Sequence, residues 1–348
     1  MSAKQPHTIS GHALVGEDLV SVPADIMIEQ GIITGVEETK KKVPDLWICP
    51  AFFNAHTHLG DTIAMDCAAS GDLVSMVTPP DGLKHRLLQA ASPADLIAGM
   101  RASIRLMSDR GTAGCADFRE GGKAGVGALK RAAAGITFQA LIFGRDGGEG
   151  SADGLGISSA RDIQDIDRIT AEARKKKKLV AFHAGERDSL DMDAALSCDP
   201  DLIVHATHAT KAQLKECAER DIPIAICPQS NWVLSVADSK KHPPVRHMLD
   251  LGCRLFLGTD NVMFVQPDMA TAMAFLSTVY HIDPPDILRM AVAGSSLTGK
   301  PFYLVKGARA NLILINPRSS NFSFSKNPVA SVVKRGSSLC SCKNVFNS

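Results

Sequence analysis

The sequence predicts an α/β protein built on a (β/α)₈ TIM-type barrel, with a small β-sandwich domain formed by the N- and C-terminal segments. Three observations carry that prediction. Eight apolar runs of strand length recur through the middle of the chain. Helical periods lie between most of them, the pattern of parallel βα units. Short β-like runs broken by glycine and polar turns occur at the two ends. At 348 residues the chain has room for both parts, since barrels of this kind take about 250 residues.

In chain order, the runs 12–15, 19–22, 24–29 and 32–36 have the texture of a small antiparallel sheet, and 310–316 and 330–335 read the same way. The barrel strands are expected at 47–54, 113–118, 137–143, 155–158, 179–183, 202–205, 222–227 and 254–258. Helical periods fall at 93–110, 160–175, 211–220 and 245–251, the first opened by Ser92 as a cap and Pro93 at the first helical position. No glycine-rich dinucleotide fingerprint follows any strand, which favours a closed barrel over an open doubly wound sheet. The expected boundaries are 1–46 for the first part of the β-domain, 47–304 for the barrel and 305–348 for the second part.

A hydrophobic share of 45%, a charged share of 22% and a formal net charge of +1 are those of an ordinary globular protein and leave no electrostatic footprint for nucleic acid. The one dense basic run, Lys175 to Lys178, sits where a helix should end. Residues 1–10 lack the apolar core of a signal peptide, and no apolar stretch is long enough to span a bilayer, so a cytoplasmic protein is expected. The nine cysteines show no framework spacing and read as reduced, buried groups. Cys340 and Cys342 have no neighbouring histidine or second cysteine pair to make a metal site.

The polar residues at the predicted strand ends carry the chemistry. His56 and His58 close the first strand in Asn54-Ala55-His56-Thr57-His58-Leu59. Alternate side chains share a strand face, so both imidazoles point one way and Thr57 the other. His183 ends the fifth strand, His205 the sixth, Asn231 follows the seventh and Asp260 the eighth. In a barrel those ends face one pocket. His56, His58, His183 and Asp260 supply the ligands of a catalytic metal, which lowers the pKa of a bound water to about 7. Asp260 can also accept the water proton. Glu186, three residues beyond His183, can swing over that ligand and carry a proton to a ring nitrogen or leaving group. His205 and His208 compete for the place beside the water; strand-end position favours His205 and puts His208 on the turn beyond.

Together, the His56/His58 segment, the H-x-x-E of His183 and Glu186, the H-x-x-H of His205 and His208, and Gly258-Thr259-Asp260-Asn261 resemble the amidohydrolase superfamily. The likeness is greatest to its adenosylhomocysteine deaminase, guanine deaminase and chlorohydrolase-like branch. Gly307-Ala308-Arg309-Ala310-Asn311-Leu312 resembles the turn that leads back into that family's β-domain, so the likeness spans nearly the whole chain. The resemblance implies one divalent metal ion per chain, zinc first and iron second, and hydrolysis of a non-peptide C–N bond. The usual reaction is deamination of an amino-substituted heterocycle: a purine, pterin, pyrimidine or nucleoside-like ring. By motif, His56, His58, His183 and Asp260 become metal ligands, Glu186 the proton shuttle and His205 the histidine beside the water. Two-metal members generally carry a carboxylated lysine after the fourth strand; residues 155–161 hold none, which favours a single ion. The competing expectations are dechlorination or cyclic-amide hydrolysis at the same site, or a catalytically inactive binding barrel. After Arg335, where the family continues with strands, a shortened or poorly ordered tail is expected.

Loops after the strands should choose the substrate. The long segment 66–91, with His85, could cover the pocket. Arg119 and Glu120 follow the second strand and Arg145 the third; the arginines suit a carboxylate, phosphate or polar ring substituent, or else an internal Arg/Glu network that props the loops. Trp232 could stack on a planar ring or pack beneath its own loop. The expected partners are a small heterocyclic substrate and water, with no nucleic acid, no membrane, and room for a homo-oligomer.

Overall fold

The computed structural model describes residues 7–67, 72–78, 81–161 and 163–336, and the backbone of 343–344. The expected loose tail and the Cys340/Cys342 pair lie outside the described residues, apart from that short stretch. The chain divides into two compact units, residues 1–53, 107–114 and 268–348 in one and 54–106 and 115–267 in the other.

The strands in chain order are β1 (His7–Val15), β2 (Val20–Glu29), β3 (Ile32–Glu38), β4 (Trp47–Pro50), β5 (Phe52–His58), β6 (Thr112–Arg119), β7 (Gln139–Gly144) and β8 (Gly154–Ile157). There follow β9 (Leu179–Ala184), β10 (Leu202–His205), β11 (Ile224–Ile226), β12 (Leu255–Leu257), β13 (Asp260–Asn261), β14 (Leu312–Ile315) and β15 (Lys343–Asn344). They form two sheets.

The smaller sheet has the order β15-β14-β4-β1-β2-β3. Alternation in β2 turns Ala24, Ile26 and Ile28 onto one face, where they pack with Ala13, Ile33, Ile48 and Leu312. The expected runs 19–22 and 24–29 are one strand, not two. Pro23, which has no N–H to give, lies just outside the β3 ladder that starts at Ala24, and its carbonyl accepts from Thr39 N at 2.9 Å. Gln30 and Gly31 both take positive φ, 50° and 79°, and close a two-residue hairpin between β2 and β3. The expected strand at 330–335 is instead a helix, Pro328–Arg335. Asn327 caps it by accepting from Ala330 N, and Pro328 occupies the first turn. Those start signals outweigh the β-branched valines.

The larger sheet has the order β12-β11-β10-β9-β8-β7-β6-β5-β13. Its two ends belong to one segment: Gly258 N donates to Ile226 O at 2.9 Å, and one residue later Thr259 N donates to His56 O at 3.2 Å. The sheet therefore closes on itself as a parallel barrel, the eighth strand running from β12 through a two-residue step into β13. Strands β6, β8 and β10 are buried along their whole length, as strands covered on both faces must be. The apolar run 47–54 is not a single barrel strand. It splits at Ala51, with β4 in the smaller sheet and β5 in the barrel. The first long helix, Pro93–Asp109, starts where Ser92 Oγ accepts from Asp95 N at 3.1 Å, as its sequence signal requires.

Gly258 is fixed by close approach. A Cβ there would lie 2.8 Å from His56 Cβ and 2.9 Å from His56 N. Gly258→Ala must push the first and eighth strands apart and should cost about 1–3 kcal/mol, measured by denaturant unfolding. Unchanged stability would show that the two strands separate freely at this point.

Candidate active site

Five side chains from four strand ends meet at one mouth of the barrel: His56 and His58 from β5, His183 from β9, His205 from β10 and Asp260 from β13. None is more than 8% exposed. His56 Nε2 lies 3.1 Å and His58 Nε2 3.5 Å from Asp260 Oδ1. The donor atoms of His56, His58 and Asp260 lie within 4.8 Å of one another, as do those of His56, His183 and His205, and of Glu186, His205 and Asp260. Phe118 forms the floor, its ring edge-on to His56 and His183 at 4.7 and 4.6 Å.

Hydrogen bonds on the far side of two rings decide what faces the centre. His183 Nδ1 lies 2.9 Å from the Ile157 carbonyl, which can only accept, so Nδ1 carries the proton and Nε2 a lone pair. His58 Nδ1 lies 2.9 Å from Glu120 Oε1 and is fixed the same way. The two Nε2 atoms are then 3.3 Å apart, lone pair against lone pair. His56 Nε2 faces Asp260 Oδ1, and its buried Nδ1 has no hydrogen-bond partner among the described residues. Burial lowers the pKa of all three rings, that of His58 to about 3 with Lys84 pushing the same way, so they are neutral. Asp260 is driven up by burial, but the neighbouring histidines outweigh this and hold it well below the usual carboxylate range. Neutral imidazoles and an ionised carboxylate turned inward on one point are the chemistry of a divalent metal site, and the residues fit that ion.

Glu186 lies beyond β9, past Gly185, which takes φ 66°. Its Oε1 is 3.6 Å from His205 Nε2, and its side chain is 20% exposed. Burial raises its pKa, His205 opposes, and Asp260 and Asp191 push it further up. Ser230 Oγ donates to Asp260 Oδ2 at 2.6 Å. Asp260 and His205 hold φ angles of 65° and 78°, a left-handed region rare for residues with side chains. Such strain persists where surrounding structure enforces it, commonly at functional sites. A cavity of about 170 Å³ lies over the cluster, with Lys84, Arg145, His183, Glu186, His205 and Asp260 among its walls.

Beside the cluster lies a buried charge network. Glu120 meets Lys84 at 2.9 Å, Arg119 at 2.5 Å and Arg145 at 3.4 Å. Lys84 also reaches Asp61 at 2.9 Å and Arg119 reaches Asp117 at 3.3 Å. Asp117 in turn accepts from Leu59 N and Thr57 Oγ1, at 2.6 and 3.1 Å. Burial drives Glu120 up, but Lys84, His58 and Arg119 together pull it well below the usual range. Burial pushes Asp61 up to about 7 against the pull of Lys84.

The other residues singled out in the sequence are spread more widely. Arg119 and Glu120 form the internal network, whereas Arg145 both joins it and faces the cavity. His208 Nε2 lies 2.9 Å from Val236 O, and His85 Nε2 3.1 Å from Val77 O. Asn231 Nδ2 donates to Thr207 Oγ1. Trp232 is half-buried on the helix Pro228–Val233. None of these four lines the cavity among the described residues. Sequence reasoning gave no role to Lys84, Asp61, Asp117 or Ser230. Asp61 and Ser230 lay inside segments already of interest. Lys84 lay in the segment expected to cover the pocket, but its own role went unread, because it occupies a buried helix position where an apolar residue would be expected.

Residues 149–299 match the family model for adenosine deaminase. A putative aminohydrolase of Methanothermobacter thermautotrophicus is 32% identical over 94% of both chains. One from Archaeoglobus fulgidus is 34% identical over 89% of both. Among solved structures, guanine deaminase from C. acetobutylicum with bound guanine superposes with a TM-score of 0.69 over 98% of this chain and 97% of that one, at 15% identity. A zinc complex of atrazine chlorohydrolase from Arthrobacter aurescens gives 0.74 over 94% and 90%, also at 15% identity. The two structures share the fold; the two archaeal relatives, alike along nearly their full length, settle the lineage. The chain belongs to the amidohydrolase superfamily, as a metal-dependent hydrolase.

Proposed function

We propose that the chain removes ammonia hydrolytically from an amino-substituted heterocycle, and that one divalent cation, zinc before iron, is held by His56, His58, His183 and Asp260. The observation that carries this reading is the meeting on one cavity of imidazole lone pairs, the Asp260 carboxylate and a Glu186 whose pKa burial raises. When bound, the cation would supply the Lewis acidity that makes water nucleophilic near neutral pH.

The rest falls to the chain's own groups. Asp260, steadied at Oδ2 by Ser230, accepts the proton that the attacking water gives up. Glu186, whose pKa burial raises, donates a proton to the ring nitrogen next to the amino-bearing carbon and so draws electrons away from that carbon. His205, next to Glu186, orients the water. After addition, the proton held by Asp260 passes to the exocyclic amine, which leaves as ammonia; the added hydroxyl gives its proton back to Glu186, and the ring keeps the oxygen. Support for deamination comes from the adenosine deaminase family model and the aminohydrolase relatives. The chlorohydrolase shares the fold alone, so dechlorination has no observation of its own. A small heterocycle and water as partners, with a cytosolic setting, belong to the same proposal. Among the described residues no helix is long and apolar enough to cross a membrane.

The segment after β8 runs Ser158-Ser159-Ala160-Arg161, with no lysine to bridge a second ion. Metal analysis should therefore find one tightly held ion per chain; two would overturn the single-ion site. Glu186→Gln should keep its metal and lose turnover by about 10²- to 10⁴-fold, and normal turnover would remove Glu186 from the reaction. A screen of aminated purines, pterins and pyrimidines with Zn²⁺- and Fe²⁺-loaded protein should release ammonia from at least one. Silence across the panel would overturn deamination.

A further inference from the structure

We propose that Lys84 is a positioning residue for the cation site, acting through Glu120 to hold the His58 imidazole with its Nε2 lone pair turned to the centre. The inference rests on His58 being a ligand, as proposed above.

Lys84 belongs to the helix Leu83–Ala90, far in sequence from every strand end. It is that helix's one fully buried residue, at 3% exposure. An ammonium in that setting is costly unless paired, and here it is paired twice, with Asp61 Oδ2 and Glu120 Oε1, both at 2.9 Å. The particular oxygen matters. Glu120 Oε1 is the atom that accepts the His58 Nδ1 proton, while Arg119 grips the other oxygen, Oε2. With Arg119 alone the carboxylate could swivel about Oε2. Lys84 pins the oxygen that sets the plane of the imidazole, and Arg145, at 3.4 Å from it, is a weaker second hold. Asp61 lies in the 3₁₀ segment Leu59–Ala64, directly after His58. The lysine thus ties down both the partner of the ligand and the chain that follows it.

A merely structural Lys84 would do no more than neutralise buried Asp61, and the two roles separate in a charge-balanced variant. Lys84→Met alone strands the Asp61 carboxylate without a countercharge and should melt early. Lys84→Met combined with Asp61→Asn removes that charge as well. Zn²⁺ affinity is measured by chelator competition beside the melting temperature of each metal-free protein. The double variant should melt within a few degrees of the parent, yet bind Zn²⁺ about 10- to 100-fold more weakly, the usual loss when a ligand's outer partner is disturbed. Asp61→Asn alone, which leaves the Lys84–Glu120 contact in place, should bind Zn²⁺ more tightly than the double variant. A double variant that binds Zn²⁺ as tightly as the parent, or loses affinity only together with its fold, would overturn the role of Lys84. A parent that takes up no stoichiometric Zn²⁺ would overturn the metal reading along with it.

Discussion

The site depends on two imidazoles held from behind. His183 is fixed by a carbonyl and His58 by a carboxylate, and each bond leaves the inward nitrogen as an acceptor. Acceptors pointed at one another in a buried space repel, and no donor among the described residues relieves them. The barrel can keep this arrangement because the rings ride on strands whose backbone bonds are already complete. The rigidity of the sheet holds in place what the side chains by themselves would avoid.

Around that centre the chain invests in charge instead of apolar packing. Lys84, Arg119 and Arg145 face Asp61, Asp117 and Glu120 in a network of three basic and three acidic side chains. Buried ion pairs add little to stability once desolvation is counted, and they are better understood as devices that select one geometry. Arg119 shows how closely this is fitted: a Cβ at Gly60 would fall 2.3 Å from its Nη2. The glycine two residues after His58 is there for the guanidinium.

Much of this was legible in the letters. Parallel strands covered on both faces read as unbroken apolar runs, so the barrel and its order followed from periodicity, and the polar residue ending each run marked the mouth. Tertiary facts were harder to read. The run 47–54 looked like one strand because apolarity does not reveal which sheet a residue joins. The segment 330–335 looked like a strand because its valines spoke louder than Asn327 and Pro328. Lys84 was invisible for a related reason: a buried lysine breaks the pattern by which buried faces are recognised. Arg119 and Glu120 stood as equally good substrate contacts or internal props until the distances placed them in the network. Strand-end position already favoured His205 over His208, and the turn of three residues between them carries one toward Glu186 and the other toward Val236 O.

The step at Gly258 and Thr259 has a bearing on any attempt to move this chemistry elsewhere. Asp260 is at once a side chain of the cluster and part of the short pairing with Thr57 by which the last strand meets the first. Its left-handed backbone is set by that junction and not by local preference. A designer who copied the histidines and the aspartate onto another eight-stranded scaffold would carry over the side chains without the kink that aims them. The transplantable unit is the closing joint of the cylinder, glycine included.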